Sequence, residues 1–425
     1  MASPEDNIAA QKWMRIALIN LLIVASLGVI MRYKIAYSLP FIEQENFLHA
    51  HSHFAFSGWI TQALMTLMIA YLARHSKENI FKKYKWLLLA NLISAYGMLL
   101  SFPWEGYGII SVIFSTLTIF VSYVFAFIFW KDLNKLQIKK VSHYWFKAAL
   151  VFNIFSSLGP FFLSYMMANN ISHPNWYLAS TYYFLHFQYN GWFFFGCMGL
   201  LSEHLNNSGI PFSIQKKGFW LFAVACIPAY FLSALWLPIP LWIYIIVVLA
   251  ALSQLLGWVI LVKQMLIKKS IFFNEINIQT RWIFILSGIA LSIKLLLQAA
   301  STIPSLSKFA FGFRPVVIGY LHLVLLGVIT LFIIAYSKIE NLICTNRTGN
   351  AGIVIFIIGI ILNELFLLIQ GSSYMIFIGV PYINQLLLVA ALCMFSGLTM
   401  LISGLKKPIS FTNFQSSLSQ EFSLK

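Results

Sequence analysis

Long apolar stretches alternate with short polar connections over nearly the whole chain. Twelve can be read, at about 13–31, 47–73, 84–102, 107–130, 144–168, 176–202, 217–236, 240–263, 281–300, 313–336, 352–370 and 379–403. Each has the length of a helix that crosses a hydrocarbon layer, for which about 20 residues suffice. Only helices and closed barrels satisfy the backbone in lipid, and runs of this length select the helix. The pattern therefore predicts an all-α polytopic membrane protein with about twelve transmembrane helices. Residues 1–12 read as a polar N-terminal segment, 13–403 as the transmembrane domain and 404–425 as a polar tail. The connections leave no room for a soluble domain.

Composition agrees and excludes other classes. Of the 425 residues 60% are hydrophobic and only 9% charged, and the mean hydropathy is +0.82. An ordinary soluble domain carries about 25% charged residues. A soluble globule, a disordered chain and a disulfide scaffold are all excluded. The net charge of +16 would suggest nucleic acid in a soluble protein. In a membrane protein it is the excess of Lys and Arg that marks cytoplasmic loops, so no nucleic-acid partner is expected. The basic residues are unevenly shared between alternate connections. One set includes Arg74, Lys77, Lys82, Lys83, Lys131, Lys135, Lys139, Lys140, Lys216, Lys268, Lys269, Arg347, Lys406 and Lys407; the opposite set holds only Arg32, Lys34, Lys308 and Arg314. This bias predicts a multi-pass protein of the cytoplasmic membrane with both termini inside. The four cysteines, Cys197, Cys226, Cys344 and Cys393, form no CxxC or CxxCH motif, so any haem is expected to be held without covalent attachment.

Five of the nine histidines fall inside apolar spans: His49, His51 and His53 on span 2, His186 on span 6 and His322 on span 10. His53, His186 and His322 are each followed by glycine five residues on, at Gly58, Gly191 and Gly327. Each interval between them covers four spans, which predicts three pseudo-repeated four-helix units. All three imidazoles lie a similar distance into their spans, on the order of 10–15 Å from the non-cytoplasmic interface at 1.5 Å per residue. Ionisable groups in lipid are costly and usually functional. Neutral imidazole binds haem iron and copper well, so His49, His51, His53, His186 and His322 are candidate metal ligands, with polar packing as the alternative. His49 and His53 share a helix face, while His51 points away from both.

With LHAHSHFAFSGW on span 2, FLHFQYNGW on span 6 and YLHLVLLGV on span 10, the chain resembles the catalytic subunit of the haem-copper oxidase superfamily, in its nitric oxide reductase and cbb3-type branch. The resemblance implies twelve helices in three arcs. It implies a non-covalent b-type haem with axial ligands from His49, His51 or His53 and from His322, and a copper or non-haem iron ligand at His186. Arg314, and Lys308 beside it, would neutralise haem propionates or serve as interfacial anchors. Span 7 lacks the family's His-His pair, and Tyr320 stands where the family has a first histidine before His322. Tyr189, three residues after His186, is the one candidate catalytic side chain. The motifs are also similar to NnrS-type haem- and copper-containing membrane proteins, through His49-Ala50-His51 with Phe54 to Gly58, and through His322 with Gly327. Either resemblance implies redox handling, sensing or detoxification of a diatomic gas, foremost nitric oxide. Electrons would come from quinol or a separate donor protein.

Lys294 in span 9 and Glu364 in span 11 are the charges deepest in apolar sequence. They suit a buried bridge, a proton path or a transport site, so a secondary transporter is the second expectation. A non-catalytic haem or copper carrier for oxidase assembly is the third.

Overall fold

The computed structural model describes residues 3–406, apart from 77, 137, 139, 275, 376 and 377, together with the side chains of all but 308–311 and 375 among them. Lys77, Lys139, Lys407 and most of the 404–425 tail lie outside the described residues, as does the Lys308 side chain. The chain is 85% helical with no strand among the described residues, an all-α polytopic membrane protein. Among the described residues twelve principal helices follow the twelve apolar stretches. They are α1 Pro4–Tyr37, α2 Gln44–His75, α3 Ile80–Glu105, α4 Ile109–Lys135, α5 Val141–Ala168, α6 at 174–207, α7 Phe212–Cys226, α8 Leu241–Ile267, α9 Ile278–Ala300, α10 Arg314–Ile339, α11 Arg347–Met375 and α12 Ile383–Ser403.

Ten of these are long and apolar enough to cross a membrane; α6 and α7 are not, for different reasons. α6 is long but carries His186, Gln188, Asn190, Glu203 and His204. α7 has only 15 residues and gives way to a 3₁₀ turn, Pro228–Ser233. Proline has no N–H to donate and its ring strikes the preceding turn, so Pro228 ends the helix.

α1 begins at Pro4, inside the segment read as a polar end. Ser3 accepts the Asp6 N–H, a proline occupies the first turn, and Glu5 and Asp6 face the positive end of the dipole. Asp6 also accepts the Phe81 N–H at 2.9 Å, which ties the start of α1 to the start of α3.

The chain forms two units. The first comprises 1–136, 337–359 and 388–425; the second comprises 137–336 and 360–387. In the first, α3 packs along α4, and α1 along α2. Gly352 and Gly397 let α11 and α12 approach closely: a Cβ on Gly352 would stand 2.5 Å from the Gly397 carbonyl oxygen. In the second, α5 packs on α6, α7 along α8, and α9 on α8 and α10.

Candidate functional site

The three His-Gly motifs share a backbone feature. Directly after each histidine the α-helix widens into a π-helical turn: Ala55–Thr61 after His53, Phe187–Phe193 after His186, and Leu323–Thr330 after His322. Gly58, Gly191 and Gly327 all lie inside these turns. Each turn packs against the preceding long helix, α1, α5 and α9 respectively. This supports the fourfold-helix repeat. Widened turns recur at functional sites because they redirect side chains and release carbonyls from the regular ladder. Here side chains of neighbouring helices donate to carbonyls within the turns. Asn20 on α1 donates to Gly58 O at 2.6 Å, and Asn91 on α3 donates to Ser57 O at 3.0 Å. The Cys226 thiol on α7 donates to Asn190 O at 3.8 Å, and Ser287 on α9 donates to Val328 O at 2.8 Å.

In the first unit the α2 imidazoles separate by face, as their spacing requires. His51 turns toward α1, where its Nδ1 donates to Val24 O at 3.0 Å. That bond sets the tautomer: the proton sits on Nδ1 and Nε2 carries the lone pair. Gly28 keeps the approach open, since a Cβ there would stand 3.6 Å from His51 Cε1. His49 and His53 turn toward the end of α3 and the loop after it. His53 stacks on Phe102, with ring centroids 4.5 Å apart. His49 meets the Tyr107 ring edge-on at 4.5 Å, and its Nε2 lies 3.7 Å from Glu45. Desolvation raises the Tyr107 phenol above its ordinary value, and the Glu45 charge adds to this. The phenol therefore keeps its proton at neutral pH and donates to His53 Nε2 at 3.2 Å. Gly106 sets up this contact. Its φ of +59° suits glycine alone, and a Cβ would stand 2.7 Å from Asn46 Oδ1.

In the second unit His186 is fully buried and both its ring nitrogens are engaged. Nε2 donates to Cys226 O at 2.9 Å, and Nδ1 accepts from the Asn190 amide at 3.1 Å. Next to it Gln188 donates to Asn153 at 3.0 Å and to Ser156 at 2.7 Å. Metal ligation by His186 therefore requires an exchange of one of these bonds. Tyr189, the candidate catalytic side chain, is buried and its ring lies edge-on to Tyr320 at 6.4 Å. His322 donates from Nδ1 to Ile318 O at 2.8 Å, the same tautomer as His51. Arg314 is exposed at the start of α10.

Lys294 and Glu364 make no ion pair among the described residues. Lys294 lies over the Phe194 ring at 5.8 Å. Glu364 accepts from Asn363 at 3.2 Å and stands beside Gly319, one turn before His322. Among the described residues no three His, Cys, Asp or Glu side chains gather as a ready-made metal cage.

Sequence reasoning missed Tyr107, Phe102 and Glu45 around His49 and His53. It also missed Cys226, whose carbonyl accepts from His186 and whose thiol donates to Asn190 O. Asn190, at i+4 from His186, was a visible signal. No protein-family model and no curated protein matches the chain.

Proposed function

We propose that the protein binds a non-covalent b-type haem and uses it in redox handling, sensing or detoxification of a diatomic gas, foremost nitric oxide. The observation that supports this best is the tautomer shared by His51 and His322. Each holds its Nδ1 proton on a backbone carbonyl, which is the tautomer of an iron-ligating imidazole. His51 and His322 are candidate haem ligands, each considered within its own unit, and His49 and His53 remain candidates beside His51. Bound haem would supply electron transfer; it would bind the gas itself only if held by a single imidazole, and otherwise a metal on His186 would do so. The residues described here would orient the imidazoles and hold their protons. His186 keeps a candidate role toward copper or non-haem iron, and Arg314 toward propionates. The basic bias of alternate loops supports a cytoplasmic membrane location with both termini inside, and quinol or a donor protein would supply electrons.

The test is a reduced-minus-oxidised absorption spectrum with metal analysis on purified protein. Wild type is compared with His51→Ala, His53→Ala, His186→Ala and His322→Ala. A b-type signal lost in His322→Ala and in one of the α2 histidine variants is the expected result. Absence of haem and metal after haem-replete expression refutes the reading. One observation favours a secondary transporter as the second reading: α7 is interrupted in the same unit that buries Lys294, and interrupted helices mark transporter sites.

A further inference from the structure

α2 opens with a line of donors on one helix face. Glu45, His49 and His53 stand at i, i+4 and i+8, each step one turn or about 6 Å along the axis. The Glu45 carboxylate lies 3.7 Å from His49 Nε2. Both imidazoles lie against the same two rings. The Phe102 ring centre is 4.5 Å from that of His53 and 5.9 Å from that of His49. The Tyr107 ring centre is 4.5 Å from that of His49 and 6.1 Å from that of His53.

The spacing decides what the pair can hold. Axial ligands of a haem approach from opposite sides, so two histidines of one helix face do not sandwich it. Two imidazoles one turn apart chelate a single small ion instead. Imidazole with carboxylate is a ligand set for zinc or copper(II), and two histidines with one glutamate leave an open position for water. Water reaches the line. The Glu45 side chain is 81% exposed and that of His49 22%, and His49 lies five residues, about 8 Å, from the start of the helix. His53 Nε2 accepts from the Tyr107 hydroxyl at 3.2 Å, so its lone pair is directed at a group that an ion can displace. The three side chains do not form a closed cage as they stand. Closure takes rotation of the exposed Glu45 side chain and displacement of the Tyr107 hydroxyl, with the helix backbone unmoved. Phe102 would then be the apolar wall that orients His53.

We propose that Glu45, His49 and His53 bind one divalent transition ion, zinc or copper(II), at the start of α2, and that Tyr107 competes with the ion for His53. The proposal does not rest on haem binding, since His51, on another face of α2, is left to that reading.

The test is titration of purified, tag-free protein with zinc chloride, followed by calorimetry, and with copper(II) chloride, followed by electron paramagnetic resonance. His49→Ala and His53→Ala should each weaken zinc binding about ten-fold or more. Tyr107→Phe should tighten it, because the phenol no longer occupies His53 Nε2; a merely structural tyrosine predicts no change or a loss. His75→Ala, at the far end of α2, should bind as the wild type does. The wild type supplies an arm that does not depend on variant folding: its copper signal should carry splitting from two imidazole nitrogens. Absence of metal uptake, a copper signal with fewer than two nitrogens, or histidine variants that bind like the wild type each overturn the proposal. Equal or weaker binding by Tyr107→Phe overturns the competition. Haem absorption is read on the same samples. Zinc uptake by a wild type without haem refutes the haem reading alone. Loss of haem in His49→Ala or His53→Ala assigns that histidine to the haem and overturns the separate metal site.

Discussion

The turn after His53 and the turn after His186 are one backbone device in two settings. Around His53 two turn carbonyls accept from carboxamides, Asn20 and Asn91, which are full-strength donors. The imidazoles are left to the aromatic wall of Phe102 and Tyr107. Around His186 the Asn190 carbonyl accepts from a thiol, and the imidazole itself is drawn into the scaffold as a bridge from α6 to Cys226. The motif sets where the helix widens. The neighbours decide whether the histidine there serves as a ligand candidate or as a strut. A strut is costly to remove because two buried partners lose their bonds together.

The largest effect should therefore separate the two histidines. His186→Ala leaves the Cys226 carbonyl and the Asn190 amide unsatisfied beside a new cavity, so a loss of about 3 kcal/mol or more is expected. His53→Ala should cost about 1 kcal/mol or less, since its ring is stacked at the rim. Reversible unfolding in mixed micelles measures both, and equal losses would remove the distinction. Next come the glycines. A Cβ on Gly191 would stand 2.6 Å from Phe152 Cβ, an atom that moves only with its backbone. On Gly58 it would stand 2.7 Å from the Phe54 ring, and on Gly327 3.2 Å from Ala290 Cβ. Alanine should thus destabilise in the order Gly191, Gly58, Gly327, with the first costing about 1–3 kcal/mol. Another order in the same assay would mean that the three turns relax differently from their packing. The smallest effect concerns the donors to the widened turns. Asn20→Leu keeps volume and strands Gly58 O, a loss of about 1–2 kcal/mol, whereas Ser287→Ala should cost about 1 kcal/mol. No loss in Asn20→Leu would show that the Gly58 carbonyl finds water or another donor.

The candidate site was legible where one helix face decides it and illegible where several elements meet. That His51 opposes His49 and His53 follows from helical geometry alone, and the side chains lie so. That His186 is saturated depends on Cys226, 40 residues away, and on the orientation of Asn190. Lys294 and Glu364 looked like partners because both are charges in apolar sequence. Instead Lys294 lies over a ring on α6, and Glu364 beside a glycine on α10. The count of spans was close for the same kind of reason. Hydropathy locates apolar segments well, but α7 is ended by a proline whose effect is geometric.

By itself the sequence determined the class of the protein, the positions of its helices and the threefold return of histidine and glycine. Apolar runs of this length have one satisfactory backbone in lipid, and a repeat needs no contact to be seen. Only the tertiary structure decided that each motif is a widened turn, which turn carbonyls receive side-chain donors, and which imidazole protons sit on backbone carbonyls. Those outcomes depend on donors supplied by neighbouring helices, and a buried hydrogen bond is fixed by who stands within about 3 Å in space, whatever the separation along the chain.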